Sequence, residues 1–201
     1  MPAAYRAFTA GPEGRRMTRF SRHIVASVVA LVAALPLAQA ALAGPAAPEV
    51  PMDIQVPSGN KVFLVGHAVG VQIYSCNAVT GGHAWALVAP RADLYGDNGK
   101  LIATHFAGPT WQATDGSAVV GRRDAPPVMV NGTAIPWLRL AAASVSSGDD
   151  GDRLAHTSYV QRVATTGGLA PSAAACNAST AGRVQEIPYT ADYYFWKATG
   201  S

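Results

Sequence analysis

Only two cysteines, Cys76 and Cys176, occur in 201 residues, with no C-x-x-C pairing between them. That excludes the paired-thiolate zinc modules, whose ligands come in closely spaced couples. Charge is also scarce: 13% of residues are Asp, Glu, Lys or Arg, and among the last 158 residues the glutamates are Glu49 and Glu186 alone. A glycosidase needs two carboxylates flanking a cleft, and no such pair is marked here. The chain has no G-x-S-x-G elbow and no strand-GxGxxG-helix unit, so neither an α/β-hydrolase nucleophile nor a dinucleotide fold is indicated. Sustained helical periodicity is missing after residue 44. No apolar run approaches the roughly 20 residues that cross a bilayer as a helix.

What is present begins with a targeting pattern. Arg15, Arg16, Arg19, Arg22 and His23 precede an apolar run from Ile24 to Leu35, then Pro36 and the small-residue sequences Ala38-Gln39-Ala40 and Ala41-Leu42-Ala43. A positive n-region, a short apolar h-region and an A-x-A site are the parts of a cleavable secretory signal. Residues 1–43 are therefore expected to be an extension plus signal, with Met17 as an alternative start. No transmembrane segment is expected after cleavage, and the protein is expected to be secreted or periplasmic. The formal charge of +3 belongs to this segment, because the residues after Ala43 carry ten basic and eleven acidic side chains. Nucleic-acid binding needs a clustered basic surface. Arg122-Arg123 is the single local cluster, so a nucleic-acid partner is excluded.

In an oxidising compartment two lone cysteines imply one disulfide, here closing a loop of 100 residues. The chain-entropy model assigns such a closure about 4.7 kcal/mol. Residues 44–60 hold Pro45, Pro48, Pro51 and Pro57 and read as an extended lead-in. Residues 61–198 read as one β domain of short runs punctuated by turn residues. Strands are expected at Val62–Val65, Val69–Tyr74, Trp85–Ala89, Ala92–Tyr95, Leu101–Phe106, Trp111–Ala113, Val119–Arg123, Trp137–Val145, Leu154–Thr165, Val184–Ile187 and Tyr189–Trp196. Gly66 and Gly70 mark bends or bulges, and Asp97-Asn98-Gly99 and Asp115-Gly116 mark hairpins. A long Ala/Gly/Ser-rich loop spans residues 167–182. The fold class is all-β, either a sandwich or a barrel.

These residues also carry a resemblance. VPSGNKVFLVGHAVGVQIYSCN (Val56–Asn77), the block Ala89–Arg123, AIPWLRLAAAS (Ala134–Ser144), Asp150–Pro171 and IPYTADYYFWKA (Ile187–Ala198) resemble the domain-of-unknown-function family 3455. The resemblance implies a secreted or surface protein with no established activity, and no catalytic residue carries over. Some fungal members bear a malate-dehydrogenase label, which the missing dinucleotide motif contradicts for this chain.

Candidate chemistry rests on histidines and tryptophans. His67, His83, His105 and His156 lie in or beside expected strands, no two of them at i, i+2 or i, i+4. Leu101, Ala103 and His105 share one face, so His105 enters an apolar layer or lines a cavity. Trp85, Trp111, Trp137 and Trp196 offer flat apolar faces with one donor each. Trp137 and Trp196 read as core, and Trp111, at the start of its strand, as exposed. The acidic stretches Asp149-Asp150-Gly151-Asp152 and Asp93/Asp97/Asn98 lack calcium-loop spacing. Asn131-Gly-Thr and Asn177-Ala-Ser read as chance sequons. The first expectation is a non-enzymatic module without a cofactor. It would bind a small molecule, a glycan or a protein partner around His67, His105 and Trp111. The alternative is a hydrolase or metal-dependent enzyme built from His67, His105 and an aspartate such as Asp93.

Overall fold

The computed structural model describes residues 44–200, so the expected signal segment lies outside the described residues. The chain divides into two units, Met1–Ala40 and Ala41–Ser201, and the second holds the whole β domain. Its strands are β1 (Asn60–Val79), β2 (Gly82–Tyr95), β3 (Leu101–Phe106), β4 (Thr110–Ala113), β5 (Ala118–Arg123), β6 (Leu138–Ser146), β7 (Tyr159–Gly167) and β8 (Val184–Ala198). Each pairs antiparallel with the next, and β8 returns to β1, giving a closed eight-stranded barrel. Closure removes the sheet edges around the ring, and β2 keeps one unpaired side from Gly82 to Arg91, where it runs past β3. Among the described residues, no helix is long and apolar enough to cross a membrane.

Three pairs of expected strands are continuous. Val62–Val65 and Val69–Tyr74 both belong to β1. Gly66 and Gly70 do not bend it; they let β2 approach. A Cβ on Gly70 would lie 2.2 Å from the Arg91 carbonyl oxygen, and one on Gly66 would lie 2.9 Å from Leu94 Cδ2. The bulges fall instead at Val62/Leu64 and Ile73/Tyr74. Trp85–Ala89 and Ala92–Tyr95 merge into β2 across Pro90, and Val184–Ile187 and Tyr189–Trp196 merge into β8 across Pro188. Both prolines sit where only one neighbour is paired. Pro90 pairs with Gln72 of β1 beyond the end of β3, and Pro188 pairs with Val71 of β1 past the last residue pair of β7, its carbonyl accepting from the Gly168 N–H at 2.9 Å. Such half-paired positions are where a strand tolerates proline, which has no N–H to give to a ladder. The stretch expected to open β7 at Leu154 is a turn, with Thr157 Oγ1 donating to the Leu154 carbonyl at 2.8 Å.

Side chains at alternate positions fill the interior. Ala68, Leu94, Ala103, Val119, Val160 and Phe195 are among those packed in one core cluster. The Pro-rich lead-in is part of the wall. Its short 3-10 turn Met52–Ile54 buries Ile54 completely, and Gln161 Nε2 donates to the Ile54 carbonyl at 2.7 Å. Gln161 Oε1 in turn accepts from Trp196 Nε1 at 2.9 Å.

The two ends differ. At one end, the β4–β5 turn and the β6–β7 loop interlock and Leu154 is fully buried. At the other, β1 and β2 run on past the β3–β4 hairpin. There Cys76 and Cys176 form the expected disulfide, with Cα atoms 5.4 Å apart. It fastens the 168–183 loop to β1, assisted by the Gly182 N–H donating to the Cys76 carbonyl at 2.8 Å.

Candidate ligand pocket

Register alone sets His105 opposite Trp111 across the β3–β4 hairpin. Gly108, at φ 96°, supplies the turn between them. Both side chains point inward and stack, with centroids 4.3 Å apart and planes 8° from parallel. Tyr193 packs against both rings, at 5.2 Å from His105 and 5.4 Å from Trp111, and Phe195 meets Trp111 edge-on. Trp111 is 1% exposed, which corrects the expectation of an exposed indole. Its strand start is solvent-facing, but its inward parity is not.

This cluster floors a cavity of about 530 Å³ at the open end. Its walls include Leu87, Val88 and Pro90 from β2 and Leu138 and Leu140 from β6, with Arg122 and Arg123 on β5. Gln72, Arg162 and Tyr193 complete the floor. The volume falls within the range of about 300–1,000 Å³ usual for small-molecule sites.

The polar groups of the floor are unequally satisfied. His105 Nδ1 donates to the Thr110 carbonyl at 2.8 Å, which fixes the tautomer. Burial pulls its pKa down to about 4; the Thr110 bond opposes this and the Arg162 charge adds to it, so the ring is neutral near pH 7. Burial also pushes the phenols of Tyr189 and Tyr193 up, and their hydroxyls lie 3.2 Å apart. Arg162 donates from Nε and Nη2 to the Pro136 carbonyl at 3.2 and 2.8 Å, and its positive charge acts against the upward shift of Tyr193. Among the described residues it has no carboxylate partner. Gln72 Nε2 and Trp111 Nε1 are buried with no hydrogen-bond partner. Native interiors leave few such donors.

The other sequence candidates lie elsewhere. His67 is on the outer wall, its Nδ1 2.7 Å from Asp192 and its Nε2 2.9 Å from Asp97. Those two hydrogen bonds, Asp97 first, raise its pKa. Asp93 is exposed on β2. The structure thus brings His105 and Trp111 together in one concavity and leaves His67 and Asp93 outside it. Among the described residues, no group of three or more His, Cys, Asp or Glu side chains could hold a metal ion. His156 lies 3.5 Å from Asp152, and Trp85 Nε1 donates to the Ser172 carbonyl. Of the four tryptophans, Trp111 is the one lining the cavity.

Sequence reasoning missed Gln72, Arg162 and Tyr193. Gln72 had a signal, as a polar residue on the same face as Ala68 and Gly70 of an apolar strand. Arg162 shares a face with the core residue Val160, but a charged side chain beside Gln161 gives no sign along the chain that this face is the inner one.

A family profile described as "Protein of unknown function (DUF3455)" matches residues 57–197. No curated protein and no solved structure matches the chain.

Proposed function

The chain belongs to that family of unknown function, DUF3455, and we propose that this member is an exported barrel whose open end binds a small organic molecule. The observation that carries the reading is the pair of buried, unpartnered N–H donors on the floor of a cavity of about 530 Å³. A buried donor without a partner costs about 1–3 kcal/mol, and a fold keeps such a cost where another molecule relieves it. Export is supported by the n-region, apolar run and A-x-A pattern before residue 44 and by the Cys76–Cys176 bridge, since disulfides persist in oxidising compartments. A small molecule fits better than a glycan. Sugar rings stack on open indole faces, whereas His105 covers one face of Trp111 and the residue is 1% exposed.

The test is a titration of the purified protein with 1-anilinonaphthalene-8-sulfonate, a fluorescent probe with an apolar ring system and one sulfonate. One saturable site is expected. Ala107→Trp, at an exposed position on the rim, should weaken binding about tenfold or more, equivalent to about 1.4 kcal/mol. The melting temperature should stay unchanged. A titration without saturation, or one indifferent to the rim substitution, removes the reading.

A further inference from the structure

Taking the open-end pocket as a small-molecule site, we infer that its ligand is an amphiphilic carboxylate. The anionic head sits on the floor against Gln72, Trp111 and Arg162, and the apolar body runs out along β2. The inference depends on that reading of the pocket and narrows it to one ligand class.

The chemistry of the lining selects the head. Its charged side chains are Arg122, Arg123 and Arg162, and it contains no Asp or Glu. An ammonium ligand would find three like charges and no counter-ion. Arg162 is partly buried and, among the described residues, unpaired with any carboxylate; an uncompensated cation away from water is costly unless an anion joins it. The two unpartnered groups, Gln72 Nε2 and Trp111 Nε1, are both donors. A carboxylate is an acceptor with about four lone-pair sites. It would satisfy the two orphan N–H groups and pair with the guanidinium in charge-assisted bonds, the stronger kind. The neutral phenols add no competing charge, because burial holds Tyr189 and Tyr193 protonated.

The approach to the floor selects the body. Leu87 and Val88 are 54% and 60% exposed although apolar. They stand at the mouth with Pro90, Pro109, Leu138 and Leu140 lining the way inward. Such a channel gains from burying methylenes, at about 0.8 kcal/mol each.

The experiment compares three probes that share a ten-carbon chain and differ in head: decanoate, decanol and decyltrimethylammonium, each titrated calorimetrically. Decanoate should bind about tenfold or more tighter than decanol, and the ammonium should show no saturable binding. Gln72→Leu and Arg162→Met should each abolish the preference for decanoate over decanol while leaving decanol affinity within about threefold, roughly 0.7 kcal/mol. Equal affinity for all three heads, with the rim substitution still blocking them, overturns the carboxylate assignment and leaves the pocket reading standing. Failure of every probe to bind overturns both. Should Arg162→Met not fold, the ranking of heads by the unsubstituted protein and the Gln72→Leu result still decide. A decanoate preference that survives Gln72→Leu would overturn the assignment of the head to this floor.

Discussion

The two ends of the barrel are built from similar turns and treat their polar groups in opposite ways. At the closed end, Asp115 Oδ1 accepts from the Ser117 N–H at 3.0 Å and from its hydroxyl, and Asp115 Oδ2 accepts from the Arg153 N–H at 2.9 Å. Ser117 Oγ then accepts from the Leu154 N–H at 3.0 Å. A Cβ on Gly148 would lie 2.0 Å from the Asp115 carbonyl oxygen, so the two loops meet backbone to backbone. Every partner in that network is used. At the open end, two buried donors lack a partner, and the Arg162 guanidinium, bonded to the Pro136 carbonyl, has no carboxylate among the described residues. Places where a fold departs from full polar satisfaction are where function is expected. The contrast therefore separates a structural plug from the floor proposed to bind a ligand.

The largest expected effect tests the plug. Ser117 is fully buried, and Ser117→Ala strands the Leu154 N–H, costing about 1–3 kcal/mol in chemical denaturation. The same substitution should flatten the acid limb of stability. Asp115 has its pKa lowered from 3.8, chiefly by the Ser117 hydroxyl. Its contribution is present above that value and lost as pH falls through the lower folded one. A wild-type-like acid limb in Ser117→Ala would show the network to be unimportant.

Gln72→Leu should behave in the opposite sense. Removing an unpartnered donor is expected to leave stability within about 0.5 kcal/mol, or to raise it, while the preference for decanoate over decanol is lost. A loss of stability matching that of Ser117→Ala would erase the distinction between the ends.

The smallest effect concerns His67 and separates the outer wall from the interior. Its raised pKa means that its bonds to Asp97 and Asp192 stabilise the fold fully below about pH 6.5, and that this contribution fades as pH rises through the higher folded value. The side chain is 46% exposed, so the gain is at most about 1 kcal/mol after screening. The melting temperature of His67→Gln should trail wild type at about pH 5.5 and converge with it at about pH 8.5. His105 works in the other direction. With its pKa lowered to about 4, it favours the fold above pH 6.5 and opposes it progressively as pH falls towards 4. Convergence of His67→Gln at acid rather than alkaline pH would reverse the assignment.

Much of the barrel was legible along the chain. Turn chemistry at Asn98-Gly99 and Asp115-Gly116, alternation in β3 and β8, and the two cysteines all act locally or by elimination. The splitting of β1, β2 and β8 failed for a definite reason: a glycine or proline looks the same in sequence whether it ends a strand or admits a neighbour. Gly70 has room for no side chain only because Arg91 and Ala92 lie against it, and Pro90 is tolerated only because β3 has already ended. In the pocket, His105 was found through its shared face with Leu101 and Ala103. The expectation for Trp111 failed because exposure was judged from its position at the start of a strand.

Alternation and turn residues, read along the chain, determined an all-β domain, its hairpins and the pairing available to its two cysteines, because side-chain direction and backbone dihedrals are set within a few residues. Closure into a barrel was decided only in three dimensions, by β8 pairing along β1 from Asn60 to Ser75. So was the meeting of Gln72, His105, Trp111 and Arg162, which come from four strands separated by up to 90 positions. Whether each of these polar groups finds a partner depends on the shear and bulges of the whole ring, and no stretch of sequence encodes that sum.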